Sequence, residues 1–265
     1  MSARETDMKI KQLAQRLRLT YLRDHLDEVL EGVIETKMTP RDALAFALGK
    51  EVEQREANHF RQAMMAAHLP AVKRLEDFDL SAQPSIDPGV FHELARLEWL
   101  QAGENVALFG PPGVGKTHIA IGLGRKAIEA GHSVRFYSAG VLFSLLEKAS
   151  REDQLEAKMR EVNRPQLLIV DEVGYLPYSP AVAHLFFQLV SRRYEKKSLV
   201  ITSNRPPSEW QLIFADKMAA SAILDHLLHH CTALTITGES YRLREHRKDA
   251  VRKGTMKQDP SKIVG

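Results

Sequence analysis

The sequence contains a single cysteine, Cys231, among its 265 residues. One cysteine excludes an internal disulfide and suits a reducing compartment. No run of apolar residues approaches the length of about 18 that a membrane-spanning helix needs. The first residues, MSARETDMKIKQ, lack the apolar stretch of a secretory signal. We therefore expect a cytoplasmic protein with no membrane partner.

The chain also lacks a strong overall charge, since its formal net charge is only +3. Residues 1–23 nevertheless hold six Lys or Arg against two Asp or Glu, and residues 241–265 hold eight against three. Basic ends are typical of proteins that contact nucleic acid, although a solvated tail has the same composition. Residues 245–265 show no hydrophobic periodicity, so we predict a basic, flexible tail there.

Paired metal-binding motifs are missing as well. His226, His229, His230 and Cys231 lie at spacings that share a helix face, but no CxxC or HExxH sequence accompanies them. A structural zinc site needs four ordered ligands and is usually built from such pairs. We therefore expect no zinc site in this chain.

The amino-terminal part of the chain has helical periodicity. Residues 1–70 predict a small all-helical module that contacts DNA or a partner protein, with an amphipathic helix over 8–31. Thr39-Pro40 predicts the start of a long helix that ends near His68. Residues 71–104 predict a linker followed by a helix over 88–101.

From residue 105 to residue 244 the pattern changes to strands that alternate with helices. This alternation predicts an α/β domain with a five-stranded parallel sheet between helices. Residues 138–165 separate two of the strands and leave room for two helices. The predicted strands are 105–109, 133–137, 166–171, 198–203 and 232–237.

The stretch Asn105–Thr117, NVALFGPPGVGKT, fits the P-loop pattern G-x-x-x-x-G-K-[ST] at every fixed position. It follows a predicted strand and opens a predicted helix, which is the context of a phosphate site. Glycines let the backbone N–H groups point inward and bind an anion at the helix end. Lys116 would reach the β- and γ-phosphates, and the Thr117 hydroxyl would ligate Mg²⁺. The predicted ATP-binding residues are Gly110, Pro111, Pro112, Gly113, Val114, Gly115, Lys116, Thr117 and His118.

A second motif, LLIVDEVGYLP, distinguishes ATP hydrolysis from other P-loop chemistry. The apolar strand ends in Asp171, which places a carboxylate beside the predicted Mg²⁺. Glu172 follows directly and can orient and deprotonate an attacking water. Asn204 ends another apolar strand and can hold the same water or the γ-phosphate, although an Asn before Arg-Pro-Pro is equally typical of a turn.

Several segments together resemble the IstB family of AAA+ ATPases, which assist the transposases of bacterial insertion sequences. The resemblance runs from about Lys9 to Glu245 and is carried by GPPGVGKTHIA, LLIVDEVGYLP, LVSRRYEKKSLVITSN, ILDHLLHH and TGESYRLRE. It implies an AAA+ fold in which the strand before Asn204 lies between the strands of the P-loop and Asp171. It also makes Lys116, Glu172 and Asn204 the catalytic residues. Phe78 becomes a candidate for contacting adenine, although a core phenylalanine is the alternative.

One departure from the family concerns its interface arginine. The family has Asp-Arg-Leu where this chain has Asp225-His226-Leu227. An arginine supplied by a neighbouring subunit can accelerate phosphoryl transfer by about 10³-fold or more, and a histidine is a poor substitute. Either hydrolysis is slow, or another cation takes this role. The candidates for a trans-acting cation are His226, Arg192, Arg193 and Lys217.

The resemblance implies an ATP-dependent homo-oligomer that binds and remodels double-stranded DNA and recruits its transposase, inside a bacterium and associated with the nucleoid. Basic residues are the candidates for contacting the DNA backbone, although acidic neighbours make a solvated charged face an alternative for the second group. A helicase loader and a DNA-architectural protein with very slow turnover are the competing functions. The candidate DNA-binding residues are Lys9, Lys11, Arg16 and Arg18, and then Lys148, Arg151 and Lys158.

Overall fold

The computed structural model describes residues 2–175 and 177–241. The chain forms two compact units, Met1–Ala63 and Met64–Gly265, so the division falls seven residues before the predicted boundary at residue 70. Within the described ranges, no helix combines the length and the apolar composition needed to cross a membrane. The predicted tail, 245–265, lies outside the described residues.

The first unit is helical, but the prediction of one helix over 8–31 was wrong. Three helices occupy this region: α1 (Ala3–Arg16), α2 (Thr20–Asp24) and α3 (Leu26–Glu35). The chain leaves α1 through Arg18, whose φ of 58° is left-handed. The Leu19 N–H then bonds back to the Ala14 carbonyl at 2.8 Å, which is the closed turn that often ends a helix.

A buried glutamate fixes the start of α2. Glu51 is 3% exposed, and its carboxylate accepts hydrogen bonds from the backbone N–H groups of three successive residues. These N–H groups have no partner inside their own helix. Arg55 also donates to this carboxylate, at 3.1 Å. The three donors are Thr20 at 3.1 Å, Tyr21 at 2.8 Å and Leu22 at 3.3 Å.

The long helix α4 (Pro40–Ala67) begins and ends as predicted. The Thr39 hydroxyl accepts the Asp42 N–H at 3.3 Å, so Thr39 caps the helix and Pro40 occupies its first position. His68 follows the last helical residue with a left-handed φ of 53°, just before Pro70.

The second unit contains a parallel five-stranded sheet with the order β2-β3-β4-β1-β5. Strand β4 therefore lies between β1 and β3, as the family resemblance implies. The predicted bounds of β1 and β4 are confirmed. Strand β2 begins and ends one residue later than predicted, β3 begins one residue later and ends two later, and β5 begins one residue earlier and ends two earlier. The strands are β1 (Asn105–Phe109), β2 (Val134–Ser138), β3 (Leu167–Val173), β4 (Ser198–Ser203) and β5 (Cys231–Thr235).

Helices cover both faces of this sheet. The first helix after the P-loop packs on one face, where a Cβ at Gly124 would lie 2.6 Å from Ile169. Alternate residues of the strands face the other side and join a core with Phe143, Phe186 and Trp210. The helices are α5 (Pro88–Arg96), α6 (Glu98–Ala102), α7 (Lys116–Glu129), α8 (Ala139–Arg151), α9 (Leu155–Asn163), α10 (Pro180–Arg193), α11 (Trp210–Ile213) and α12 (Lys217–Leu228).

The two helices predicted within 138–165 are present as α8 and α9. The single helix predicted over 88–101 is instead broken into α5 and α6. Leu97 separates them with a left-handed φ of 64° and is only 4% exposed. The Trp99 indole then donates to the Leu94 carbonyl at 2.9 Å, so the break turns an aromatic ring into the core.

Candidate functional site

The P-loop joins β1 to α7, and three of its glycines have positive φ angles. These are 143° at Gly110, 84° at Gly113 and 104° at Gly115. A Cβ at Gly113 would lie 2.1 Å from the Ser240 hydroxyl, and one at Gly115 would lie 2.5 Å from the Phe78 ring. A side chain at either position would therefore clash with Ser240 or with Phe78. The loop keeps its backbone accessible at the positive end of α7.

Lys116 is the first residue of α7 and is only 6% exposed. Its ammonium group donates to the carbonyls of Gly110 at 2.7 Å and Pro111 at 2.8 Å. The cation therefore lies over the loop that precedes it. Pro111 and Pro112 are exposed, and neither lines the cavity described below.

Two threonine hydroxyls hold the carboxylate of Asp171, which is 6% exposed. The Thr117 hydroxyl lies 3.0 Å from one carboxylate oxygen and 3.2 Å from the other. The Thr202 hydroxyl donates to the first of these oxygens. Asp171 lies on β3, Thr202 on β4 and Thr117 on α7, so three elements place their oxygen atoms at the carboxyl edge of the sheet.

Glu172 lies on a bulge in β3. Val170 pairs with Ile201 and Val173 pairs with Ser203, so three steps along β3 match two along β4. Glu172 has a left-handed φ of 63°, which is unfavourable for a residue with a side chain. Its N–H donates to the Thr202 hydroxyl at 2.9 Å, which helps to hold this conformation. The bulge leaves the Glu172 side chain exposed beside the buried Asp171.

A cavity of about 710 Å³ opens at this edge of the sheet. It is lined by P-loop residues 113–118 together with Asp171 and Glu172, and by Phe78, whose ring meets the His118 ring edge-on at 5.4 Å between centroids. Phe78 also stacks on the buried Phe91, so it contacts both the cavity and the core. Sequence reasoning did not identify several lining residues: Gln83, Phe136, Ser138 and Tyr241.

Comparison with known proteins shows to which family this chain belongs. The sequence profile of the IstB-like ATP binding protein family matches residues 12–249. The chain belongs to this family. It is 45% identical over 243 residues to a protein of Pseudomonas aeruginosa whose name assigns it to insertion sequence IS21 as an ATP-binding protein, and the match covers 92% of each chain. It is 37% identical over 239 residues to the corresponding protein of IS5376 from Geobacillus stearothermophilus, covering 90% of this chain and 95% of that one.

Solved structures with the same fold are AAA+ proteins. AMPPCP-bound DnaA from Aquifex aeolicus matches with a TM-score of 0.53 and 18% identity, over 73% of this chain and 59% of that one. This chain therefore spans about three fifths of that DnaA. The DnaC helicase loader matches with a TM-score of 0.51 and 18% identity, over 62% of this chain and 96% of the loader. The second unit of this IstB-like chain thus has the AAA+ fold.

Asn204, which the sequence predicts to hold the attacking water or the γ-phosphate, does not line the cavity among the residues described. Strand β4 ends at Ser203, whose hydroxyl accepts the Arg205 N–H at 3.1 Å and donates to the Arg205 carbonyl at 3.0 Å. This turn ends the strand before Asn204. The β4 residue that contacts Asp171 is Thr202, two positions earlier.

The four candidates for a trans-acting cation have different surroundings. Arg193 is 1% exposed and donates to the carbonyls of Pro165, Gln166 and Ser198, and burial lowers its pKa to about 9. This buried position inside the subunit removes Arg193 from the candidates. Arg192 forms an ion pair with Glu156. His226 is half-buried, stacks on Tyr194 and bonds to Ser191. Lys217 is exposed at the start of α12.

The candidate DNA-binding residues lie on two separate sets of helices. In the first unit, Lys9, Arg16 and Arg18 are exposed, and Lys11 forms an ion pair with Asp27 at 3.5 Å. In the second unit, Arg151 is exposed at the end of α8, whereas two candidates pair with acidic neighbours on their own face. These pairs are Lys148 with Glu152 at 3.9 Å and Lys158 with Glu161.

The four residues considered for zinc do not form one cluster in the structure. His229 and His230 lie with Glu195 in an exposed group whose ligand atoms are within 4.8 Å of one another. His226 bonds to Ser191 instead. Burial raises the pKa of Cys231 to about 12, so this thiol is protonated and is a poor metal ligand at neutral pH.

Proposed function

We propose that this IstB-like protein binds Mg·ATP in the P-loop cavity and hydrolyses it to ADP and phosphate. The observation that best supports this proposal is the contact of Thr117 with Asp171, which lies beside Glu172 in the same cavity as the P-loop. This arrangement brings together a phosphate-binding loop, a pair of hard oxygen ligands and a carboxylate that can act as a base. The relatives named for ATP binding support the same proposal.

The P-loop fits a chain of phosphates. Gly113 and Gly115 have backbone conformations and surroundings that exclude a side chain, so the loop N–H groups are open to an anion. Lys116 lies over the same loop, where it would bind the phosphate oxygens as a point charge.

The oxygen ligands fit magnesium. The Thr117 hydroxyl and the Asp171 carboxylate are hard donors that already lie within 3.2 Å of each other. These two residues would hold Mg²⁺ together with phosphate oxygens. When bound, the ion neutralises negative charge on the phosphates. The hydroxyl protons of Thr117 and Thr202 can rotate away, so the carboxylate can exchange their hydrogen bonds for the ion.

Glu172 is the proposed general base. Its carboxylate accepts the proton of the water whose oxygen attacks the γ-phosphorus, while the bond from phosphorus to the bridging oxygen of ADP breaks. Thr202 positions Glu172 by accepting its backbone N–H. Turnover is slow without DNA, because His226 replaces the family's arginine and the remaining exposed candidates, Arg192 and Lys217, must come from a neighbouring subunit.

We further propose that ATP binding drives assembly of this protein on double-stranded DNA, which it remodels while it recruits or stimulates its transposase. The relatives with insertion-sequence names support this role over that of a helicase loader. Exposed basic residues of α1, such as Lys9 and Arg16, would contact phosphates of the DNA backbone. The proposed location is the bacterial cytoplasm, associated with the nucleoid.

The test is to measure particle mass on duplex DNA with a non-hydrolysable ATP analogue. The unaltered chain should form oligomers on DNA only when the analogue is present. Lys116→Ala should remain unassembled, because its affinity for ATP should fall by about 10- to 100-fold. Lys126→Ala, in the last turn of α7 where Lys126 is half-buried and pairs with Glu76, is the matched control and should assemble normally. Equal assembly of Lys116→Ala would contradict the proposal.

The histidine at position 226 favours one second candidate, a DNA-architectural protein that binds ATP but barely hydrolyses it. Its half-buried ring is engaged by Tyr194 and Ser191 and offers no cation comparable to arginine. Steady-state phosphate release with and without duplex DNA separates the two functions. Stimulation by DNA supports the ATPase, and turnover that is unchanged by DNA and by Glu172→Gln supports the architectural role.

A further inference from the structure

Three side chains that can ligate a metal meet on the surface, outside the nucleotide cavity. Glu195, His229 and His230 each offer one ligand atom, and these atoms lie within 4.8 Å of one another. The Nε2 atom of His230 is 3.4 Å from a carboxylate oxygen of Glu195. Ligands bonded to one ion at about 2.1 Å and the tetrahedral angle are about 3.4 Å apart. Small rotations of these exposed side chains can therefore bring all three atoms onto one ion.

The three residues belong to two corners of the chain at the amino-terminal edge of the sheet. His229 and His230 fill the corner between α12 and β5, and Glu195 lies in the corner between α10 and β4. Strand β1 lies between β4 and β5. The P-loop leaves β1 at the opposite, carboxyl edge, and the described lining of the nucleotide cavity includes none of the three residues. The group is therefore separate from the proposed Mg²⁺ ligands.

A buried asparagine holds the two corners together. Asn105, the first residue of β1, is 6% exposed. Its side-chain oxygen accepts the Leu199 N–H of β4 at 2.9 Å, and its side-chain amide donates to the Leu227 carbonyl of α12 at 3.0 Å. Its backbone N–H donates to the His230 carbonyl at 2.8 Å. Buried hydrogen bonds thus fix the corner of Glu195 relative to the corner of the two histidines.

Tyr194 orients one of the histidine rings. Its hydroxyl oxygen lies 2.7 Å from the Nδ1 atom of His229. Burial and the nearby Glu195 carboxylate raise the pKa of Tyr194, so the phenol stays protonated and neutral at neutral pH. A histidine that binds a metal through one nitrogen usually hydrogen-bonds to an oxygen through the other. The bond to Tyr194 therefore leaves the Nε2 atom of His229 for an ion.

The ligand types indicate the class of metal. Two imidazoles and one carboxylate suit Zn²⁺ and neighbouring transition-metal ions, whereas Mg²⁺ and Ca²⁺ prefer oxygen ligands alone. We propose that Glu195, His229 and His230 bind a divalent transition-metal ion such as Zn²⁺, with water at the remaining position. The ion ties the α10–β4 corner to the α12–β5 corner. The sequence pattern did not reveal this site, because only residues 226–231 were considered and Glu195 comes from another corner.

The experiment titrates the full chain with Zn²⁺ by calorimetry, after treatment with a chelator and without nucleotide. The unaltered chain should bind one ion. His229→Gln, His230→Gln and Glu195→Gln should each weaken binding by about 100-fold or more, and Tyr194→Phe by about tenfold, because loss of an orienting partner costs less than loss of a ligand. His184→Gln, which changes an exposed histidine of α10, is the matched control and should bind like the unaltered chain.

Two further measurements locate the ion. Co²⁺ in place of Zn²⁺ should give the visible absorption of a histidine-ligated ion, and His229→Gln should lose it. Saturating Zn²⁺ should raise the Tm of the unaltered chain by about 5 °C, whereas Mg²⁺ should not. Asp171→Asn should bind Zn²⁺ as tightly as the unaltered chain does, which separates this site from the nucleotide cavity and its test from that of the proposed function.

Three results would overturn the proposal. The first is no binding of Zn²⁺ by the unaltered chain, and the second is equal binding by the three ligand variants. The third is loss of binding in the histidine variants but not in Glu195→Gln, which would show chelation by a histidine pair alone. If a variant fails to fold, the Co²⁺ spectrum of the unaltered chain still decides, because absorption without histidine ligation contradicts the site.

Discussion

Each compact unit of this protein holds a buried carboxylate, and different kinds of donor satisfy the two. Glu51 accepts three backbone N–H groups and an arginine, whereas Asp171 accepts two threonine hydroxyls. Backbone donors are fixed by the helix that they begin, but a hydroxyl can rotate its proton away and become a ligand itself. Glu51 therefore stabilises the fold of its unit, whereas Asp171 can exchange its hydrogen bonds for a metal ion.

The largest expected effect comes from Asp171→Asn. The amide keeps the size of the side chain but loses the charge that binds Mg²⁺, so ATP turnover should fall by about 10³-fold. Phosphate release measures this loss. Asp153→Asn, an exposed position with a left-handed φ of 55°, is the control and should turn over normally. Full activity of Asp171→Asn would remove the distinction between the two carboxylates.

The next largest effect on turnover is expected for Glu172, the exposed neighbour of Asp171. Glu172→Gln removes the base, so turnover should fall by about 10²-fold or more while ATP still binds. The DNA complex formed with ATP should therefore persist, and its lifetime measures the effect. Glu129→Gln, at the exposed end of α7, should leave both quantities unchanged. Rapid disassembly of the Glu172→Gln complex with ATP would show that another group is the base.

Glu51→Gln should affect stability and leave ATP turnover unchanged. The amide turns an N–H₂ group toward backbone donors, so the free energy of unfolding should fall by about 1–3 kcal/mol. Urea unfolding followed by circular dichroism measures the change, and Glu53→Gln, which is exposed beside Lys50, is the control. If Glu51→Gln lost as much turnover as Asp171→Asn without losing stability, the structural role of Glu51 would be contradicted.

The smallest effect is expected for Thr202, which links Asp171 to Glu172. Thr202→Val removes the hydroxyl but keeps the shape, so kcat should fall by about five- to tenfold with little change in KM. Thr202→Ser restores the hydroxyl and should recover most of kcat. A merely structural role would instead leave kcat unchanged in the folded Val variant.

The sequence was sufficient for the features that short motifs encode. The P-loop, the Asp171-Glu172 pair and the two helices within 138–165 follow from local spacing, and the position of β4 between β1 and β3 follows from the family resemblance. Thr39-Pro40 predicts the start of α4, because a cap and a fixed φ act within one turn.

The remaining features depend on contacts between distant segments. The break after α1 involves Glu51, about thirty residues away, which no periodicity reveals. Thr202 has the composition of an ordinary strand residue, and its contact with Asp171 depends on the register of β3 against β4, in which Val170 pairs with Ile201 one position earlier. The sequence pattern places Arg193 among surface cations, yet hydrogen bonds to four backbone carbonyls hold it in the interior. Gln83 and Tyr241 reach the cavity through the fold of segments far from the P-loop.

The most direct test of the central claim is calorimetric titration of the unaltered chain and of Lys116→Ala with Mg·ATP, in the presence and absence of duplex DNA. The account predicts saturable binding of one ATP per chain, weakened by about 10- to 100-fold in Lys116→Ala. No binding by the unaltered chain under either condition, or equal binding by the variant, would contradict it.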